Sequence, residues 1–297
     1  LWIKSRDVDN HQVFDCIRGL GADMVIIPDV TDAAYQQTNT LLGFNNDGFS
    51  VGSHNAVNQD TDGIIAWGWK AGGTPSGELV GTAPATMSGT SGAGSIDNAA
   101  TGVSNLNTLT QSVSQISGFS ITKFEGHASG GTLPHNLGGT PAFIIIKNTD
   151  DTNAWSVWHQ NLTATSEYAL VLNTEAAQVN YQPYWSTAPS PTIITCGAEN
   201  SNGGGGSLNY IMYAWKEVAG VSAFGSYTGN AAAQTITYAN SNSFTARWLM
   251  VRRKDDAGSW VILDSIRGGA GVEQTVSILA DLHILSQNLE ELLFFFV

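Results

Sequence analysis

Aromatic side chains with polar neighbours are the first residues of this sequence that could bind a ligand. The faces of Trp and Tyr rings stack on sugar rings, while Asn, Ser and Thr side chains hydrogen-bond to hydroxyl groups. Most of the nine Trp lie in apolar runs, where core packing explains them, but part of the middle of the chain is more polar. There we predict a carbohydrate-binding platform formed by Trp155, Trp158, Tyr184 and Trp185.

Acidic and basic residues recur at matching positions, in a pattern typical of structural ion pairs. Residues 2–19 align without a gap with residues 251–268, and an Asp and an Arg fall in register. Catalytic sites are rarely duplicated in every copy of a repeat, so we predict that each pair holds a turn. The predicted structural pairs are Asp15 with Arg18 and Asp264 with Arg267.

Motifs for a catalytic or metal centre are missing from the sequence. The six His lie outside His-x-His and HExxH contexts, and the two Cys, Cys16 and Cys196, are far apart. We therefore predict no metal site and no cofactor. Residues 58–63 open like a calcium loop but lack the terminal acidic ligand, so a turn is predicted there. Two carboxylates that meet in space could still cleave a glycoside, but we expect a protein that is not an enzyme.

The composition excludes several classes of protein. Of the 297 residues, 12 are Lys or Arg and 25 are Asp or Glu, which gives a net charge of −13. This balance leaves little material for the basic patch that nucleic-acid binding requires, so no nucleic-acid partner is predicted. No apolar run is long enough to span a membrane as a helix. The 33 Gly and many Ser, Thr and Asn predict short strands joined by turns.

Three similar segments predict tandem repeat units. Each opens with an apolar strand that ends in a cation, here named the leading strand, followed by an Asp- and Asn-rich turn and a second apolar strand. Residues 64–70 resemble residues 210–216, both ending in Trp-Lys, and residues 118–126 resemble residues 220–229. We predict an all-β chain of tandem antiparallel β-sandwich units, lectin-like or jelly-roll-like in kind.

The repeats also predict domain boundaries. Residues 71–117 are rich in Gly, Ser and Thr and are predicted as a linker or insertion, with a slender β-structured stretch as the alternative. After residue 275 the repeat pattern stops, either because the tail packs against another chain or because the reading frame has shifted. Leu279, Leu282, Leu285, Leu289 and Leu292 recur at helical spacing, so a short C-terminal helix is predicted. The predicted segments are 1–70, 71–117, 118–219, 220–275 (a partial third unit) and 276–297.

Six blocks of the sequence carry a resemblance to a known family. They are residues 2–19, 44–52, 66–73, 118–121, 133–144 and 224–230. Together they resemble an uncharacterised repeat family of structural proteins from tailed bacteriophages, especially marine phages and cyanophages. The resemblance covers most of residues 1–275 and implies a tail fibre or another virion appendage. It carries no known catalytic residues.

From these features we expect a structural virion protein, a tail fibre or surface appendage that contacts the host. A β-rich fibre commonly covers its edge strands by oligomerising, so a homotrimer is predicted, with other virion proteins and host surface glycans as partners. The expected location is the virion. Two alternatives stay open: a glycan-binding module that decorates the capsid or acts as an adhesin, and a polysaccharide depolymerase.

Overall fold

The computed structural model describes residues 1–6, 9–21, 24–72, 106–237 and 244–265, and the backbone of two strands at 278–279 and 291–296. Antiparallel strands dominate these residues, and the helix α1 (Asn55–Asn58) is short. The strands are β1 Trp2–Ser5, β2 Gln12–Val13, β3 Leu41–Asn45, β4 Gly48–Val51, β5 Ile64–Trp67, β6 Asn107–Ser114, β7 Phe119–Glu125, β8 Gly131–Pro134, β9 Phe143–Asn148, β10 Ser156–His159, β11 Tyr168–Val171, β12 Val179–Asn180, β13 Ile193–Cys196, β14 Asn209–Trp215, β15 Ala223–Thr228, β16 Trp248–Arg253, β17 Val261–Asp264, β18 Ile278–Leu279 and β19 Glu291–Phe296.

One order of strands recurs in the three larger sheets. These run β2-β1-β5, β12-β11-β10-β9-β14-β7-β6 and β15-β19-β16-β17-β18, and two hairpin-sized sheets pair β13 with β8 and β3 with β4. In each larger sheet, the leading strand (β1, β9 or β16) lies between the second strand of its hairpin (β2, β10 or β17) and a further partner (β5, β14 or β19). The predicted all-β class with repeated antiparallel units is confirmed.

The pairing register also recurs from unit to unit. One cross-strand pair in each unit lies two residues before a cation of the leading strand, which is Lys4, Lys147 or Arg252. Side chains two residues apart in a strand point to the same face, so the cation and the paired residue share a face in every unit. The corresponding pairs are Trp2 with Trp67, Ile145 with Tyr213 and Met250 with Phe295.

The second sheet extends into the segment predicted as a linker. Strand β6 pairs with β7 as the edge of the seven-stranded sheet, so residues 107–114 belong to the second unit. Buried polar groups account for this, because Gln111 donates to Thr122 Oγ1 (2.8 Å) and to the carbonyl of Pro134 (2.9 Å). Residues 73–105 of the predicted linker lie outside the described residues.

The prediction of a short C-terminal helix is wrong for residues 291–296. They form β19, which pairs with β15 on one side and with β16 on the other. The reason is tertiary: the third unit lacks a Trp-Lys strand beside its leading strand, and an apolar Leu/Phe run satisfies that pairing position. Leu279 lies in β18, and residues 280–290 lie outside the described residues.

A single core connects the three units. One cluster of buried apolar residues includes Trp2 of the first unit, Ile145 of the second and Met250 of the third. All six residues of β9 are buried, as in a strand covered on both faces. A smaller cluster around Phe14 and Val25 fills the first unit alone. The sheets therefore position their side chains around a common interior.

Candidate functional site

The predicted carbohydrate platform is not formed. Trp155, Trp158 and Trp185 are at most 3% exposed, and the first two donate their indole N–H groups to backbone carbonyls. An indole packed inside the core has no free face for a sugar. Tyr184 is half-buried and packs edge-on against Tyr181, with 5.6 Å between ring centroids. Sugar recognition at these four residues is therefore not supported by their positions.

Asp15 and Arg18 form a buried ion pair with 2.6 Å between Oδ2 and Nε. The Asp15 carboxylate also accepts the backbone N–H groups of Ile17 and Arg18 and the hydroxyl of Tyr213 (2.6 Å). Burial raises the pKa of Asp15, but Arg18 and the hydrogen bonds lower it more, so the net pKa lies below its usual value. Both carboxylate oxygens are occupied, so this group serves structure.

The ion pair also joins two units, because Tyr213 belongs to β14 of the second sheet. Burial and the neighbouring Asp15 charge raise the pKa of Tyr213 well above its usual value. The hydroxyl is therefore a neutral donor at physiological pH. In the third unit, Asp264 is buried at the end of β17, whereas Arg267 lies outside the described residues. The Asp264–Arg267 pair stays a prediction.

The cation of the second leading strand holds a loop of the first unit. Lys147 is fully buried, and its ammonium donates to the carbonyls of Thr31 (3.1 Å), Asn153 (3.0 Å) and Asp151 (3.5 Å). Thr31 lies in the first unit, and the other two lie in the hairpin turn of the second. Burial lowers the pKa of Lys147 to about 8. We name such a cation, bound to carbonyls of the preceding unit, a carbonyl clamp.

The third unit repeats this carbonyl clamp on the second. Arg252 is fully buried and donates to the carbonyls of Thr174 (3.0 Å) and Ala176 in the second unit, and of Gly258 in its own turn. Its guanidinium carbon lies 5.5 Å from the Trp260 ring centroid, within cation–π range. Lys147 and Arg252 thus do the same work at two successive interfaces.

Other contacts at the two interfaces correspond as well. Trp155 donates its indole N–H to the carbonyls of Ile27 and Val30, and Trp260 donates its own to that of Val171. Two turn amides repeat the pattern, from Asn153 to Thr31 and from Gly258 to Glu175, each at 2.9 Å. The sequence held one signal for this interface, the recurrence of Thr-Asp-Ala-Ala at 31–34 as Thr-Glu-Ala-Ala at 174–177.

A cavity of about 540 Å³ lies where the leading strands of the three units face each other. Trp2, Ile145 and Met250, which hold corresponding positions in their units, all line it. Many of the other lining residues are aromatic. The aromatic residues that line the cavity are Trp2, Phe14, Phe44, Trp69, Phe119, Phe143, Trp155, Tyr213, Trp215 and Trp248.

Trp69 differs from the other indoles of this wall because it is half-buried rather than buried. It meets the Trp215 ring at 75° with 6.1 Å between centroids, and the Trp248 ring at 89° with 5.3 Å. Perpendicular contacts of this kind are favourable and fix the orientation of the ring. Phe44, Asn45 and Lys70 also line the cavity, and all three are exposed, so they form its mouth.

Within the described part of the chain, no cluster of His, Cys, Asp and Glu could hold a metal ion. The same residues contain no helix with the length and apolar character needed to cross a membrane.

Repeated sheets joined by carbonyl clamps around one aromatic interior define an all-β repeat protein. The family described as Domain of unknown function (DUF7483) matches residues 1–109 and 97–294, so the chain belongs to this family. No curated protein matches the chain, and no solved structure matches it.

Proposed function

We propose that this chain is a structural protein of a virion, a tail fibre or surface appendage of a tailed phage that contacts the host. The observation that carries the proposal is the repeated carbonyl clamp. Lys147 and Arg252 each hold the preceding unit by donating to its backbone carbonyls, at two successive interfaces. Buried cations that fix the order of successive units are expected in a protein that must keep a rigid shape. The resemblance to phage appendage repeats points the same way.

The charged groups of the interior support a structural role over a catalytic one. Asp15 is neutralised by Arg18 and saturated with hydrogen bonds, and the two clamp cations donate to backbone carbonyls. A general acid or nucleophile must instead reach a substrate atom. We therefore propose that the chain is not an enzyme, which leaves the polysaccharide depolymerase as the alternative that experiment must exclude.

Open sheet edges support a homotrimer. In the described sheets, β12 and β6 end the seven-stranded sheet, and β15 and β18 end the five-stranded one. The side chains of Val179 in β12 and of Tyr181 directly after it are 41% and 44% exposed. Exposed edges invite pairing with other chains, and closed symmetry covers them. We propose that copies of this chain assemble with other virion proteins through such edges.

Three experiments test the proposed function. Antibodies against the chain, followed by gold labelling and electron microscopy, should mark a projection on particles of the phage that encodes it. Unlabelled particles, with the chain found only in the lysate of infected cells, would overturn the proposal. Native mass spectrometry of the purified chain should give a trimer, and a monomer would exclude that part. Release of oligosaccharides from host surface polymer would favour the depolymerase.

A further inference from the structure

We propose that the central cavity binds a single sugar ring, a pyranose that is uncharged or acidic. This site extends the proposed function, because an appendage that contacts a host surface needs a place that recognises it. The ring would stack on Trp69 and Phe44, and its hydroxyls would bond to Asn45 and Asn46 at the mouth. The location differs from the platform predicted from sequence: of those four residues only Trp155 lines the cavity, and its side chain is buried.

The size and stiffness of the cavity suit a small ring. Its volume of about 540 Å³ falls within the range of roughly 300–1,000 Å³ that is usual for small-molecule sites. Leading strands of all three units form the walls, and the carbonyl clamps of Lys147 and Arg252 fix these strands relative to each other. A site preformed in this way loses little entropy when its ligand binds.

The aromatic wall supplies the apolar contact. Trp215 and Trp248 hold the half-buried Trp69 ring by perpendicular packing, so its orientation does not depend on a ligand. Phe44 belongs to the β3–β4 hairpin of the first unit, lines the mouth and is 40% exposed. A pyranose presents an apolar C–H face to such rings and its hydroxyls to the rim.

Polar groups and charge narrow the ligand class. Asn45 and Asn46 carry amides that both donate and accept, as hydroxyl recognition requires, and Asn45 is oriented by donating to Ser50 Oγ at 2.9 Å. The Asp15 carboxylate in the wall is neutralised by Arg18. Because Asp15 is neutralised, Lys70 is the charged side chain that remains in the lining of the cavity. Its positive charge repels the ammonium group of an amino sugar.

The test is a titration of the full chain, followed by saturation-transfer NMR and tryptophan fluorescence. The probes are galactose, N-acetylglucosamine, galacturonic acid and glucosamine. At least one of the first three should bind saturably, and cationic glucosamine should bind weakest. Absence of saturable binding by every sugar to the folded chain would overturn the proposal. Neither result depends on virion labelling or on the trimer, so the two proposals fail separately.

The hairpin offers a matched control for the position of the site. Phe44 and Phe49 face each other across the hairpin and are 40% and 41% exposed, but of these two only Phe44 lines the cavity. Phe44→Ala and Asn46→Ala should weaken binding by about fivefold or more, and Trp69→Ala by about tenfold. Phe49→Ala should stay within about twofold. Equal losses in F44A and F49A would place binding on the hairpin surface and overturn the cavity assignment.

Discussion

Replacing Arg252 by Met should release the third unit from the second. The substitution keeps a long apolar stem but removes the guanidinium that donates to the carbonyls of Thr174, Ala176 and Gly258. Two of these carbonyls belong to the neighbouring unit, so their loss weakens the interface rather than a single strand. Arg253 follows Arg252 on the same strand and provides the control, because it bonds instead to the exposed Asp256 at 2.7 Å.

The expected magnitude follows from the three hydrogen bonds. A hydrogen bond to a charged group contributes about 1.5–3 kcal/mol, so the gross loss is about 5–9 kcal/mol. The Met variant no longer has to bury a cation, and this saves several kcal/mol of desolvation free energy. The net loss in the free energy of unfolding should therefore be about 2–4 kcal/mol for Arg252→Met. Arg253→Met removes a pair whose acidic partner, Asp256, is exposed to solvent, and should cost about 1 kcal/mol or less.

Urea unfolding followed by tryptophan fluorescence measures the global effect, and hydrogen exchange locates it. The amides of Gln178 and Gly258 cross the interface, bonding to the carbonyls of Lys254 (2.7 Å) and Glu175 (2.9 Å). Both amides should exchange faster in Arg252→Met and keep their rate in Arg253→Met. If the two variants lose equal stability, or if exchange at these amides is unchanged, the carbonyl clamp does not hold the units together.

Two further predictions concern buried titratable groups. Burial lowers the pKa of Lys147 to about 8, so between pH 8 and pH 10 the unfolded chain holds a proton that the folded chain has lost, and stability should rise by up to about 3 kcal/mol. Lys147→Met should abolish this rise in urea midpoints, and a rise that persists contradicts the assignment. Tyr213→Phe removes one donor from Asp15 and should cost about 1–3 kcal/mol, whereas Tyr181→Phe on the surface should change stability by about 0.5 kcal/mol or less. Equal losses in thermal melts of Y213F and Y181F would refute the buried network.

The repeated strands could be predicted from sequence because the same local pattern of residues occurs in each unit. An apolar strand, a cation, a turn and a second strand are local features, and their recurrence fixes the sheet order. Strand β6 could not be recognised this way, because its polar Gln111 and Ser112 are buried by hydrogen bonds that only the folded sheet provides. Strand β19 was missed for the opposite reason, because its apolar run is compatible with a helix or a strand. It forms a strand because the position beside β16 is open for pairing.

The site was harder to predict because a residue with polar neighbours in the sequence does not have to lie on the surface. Ser156, next to Trp155, is itself buried and donates to the carbonyl of Ser201 at 2.9 Å. The polar composition around Trp155 therefore marked a hydrogen-bonded interior, not an exposed platform. The half-buried ring is Trp69, one of the Trp residues for which core packing was predicted. Its partial exposure depends on how three units meet, and no single unit encodes that.

The carbonyl clamp and the cavity share one face of the second and third leading strands, and this couples them. In the third unit, Met250 lines the cavity and Arg252, two residues on, binds the preceding unit from the same face. In the second unit, Ile145 and Lys147 stand in the same relation. The carbonyls that hold each cation therefore also set the position of the cavity wall beside it. The same contacts therefore fix the order of the units and the shape of the interior. A unit that lost its clamp cation would lose its fixed position on the preceding unit and also the position of its cavity wall.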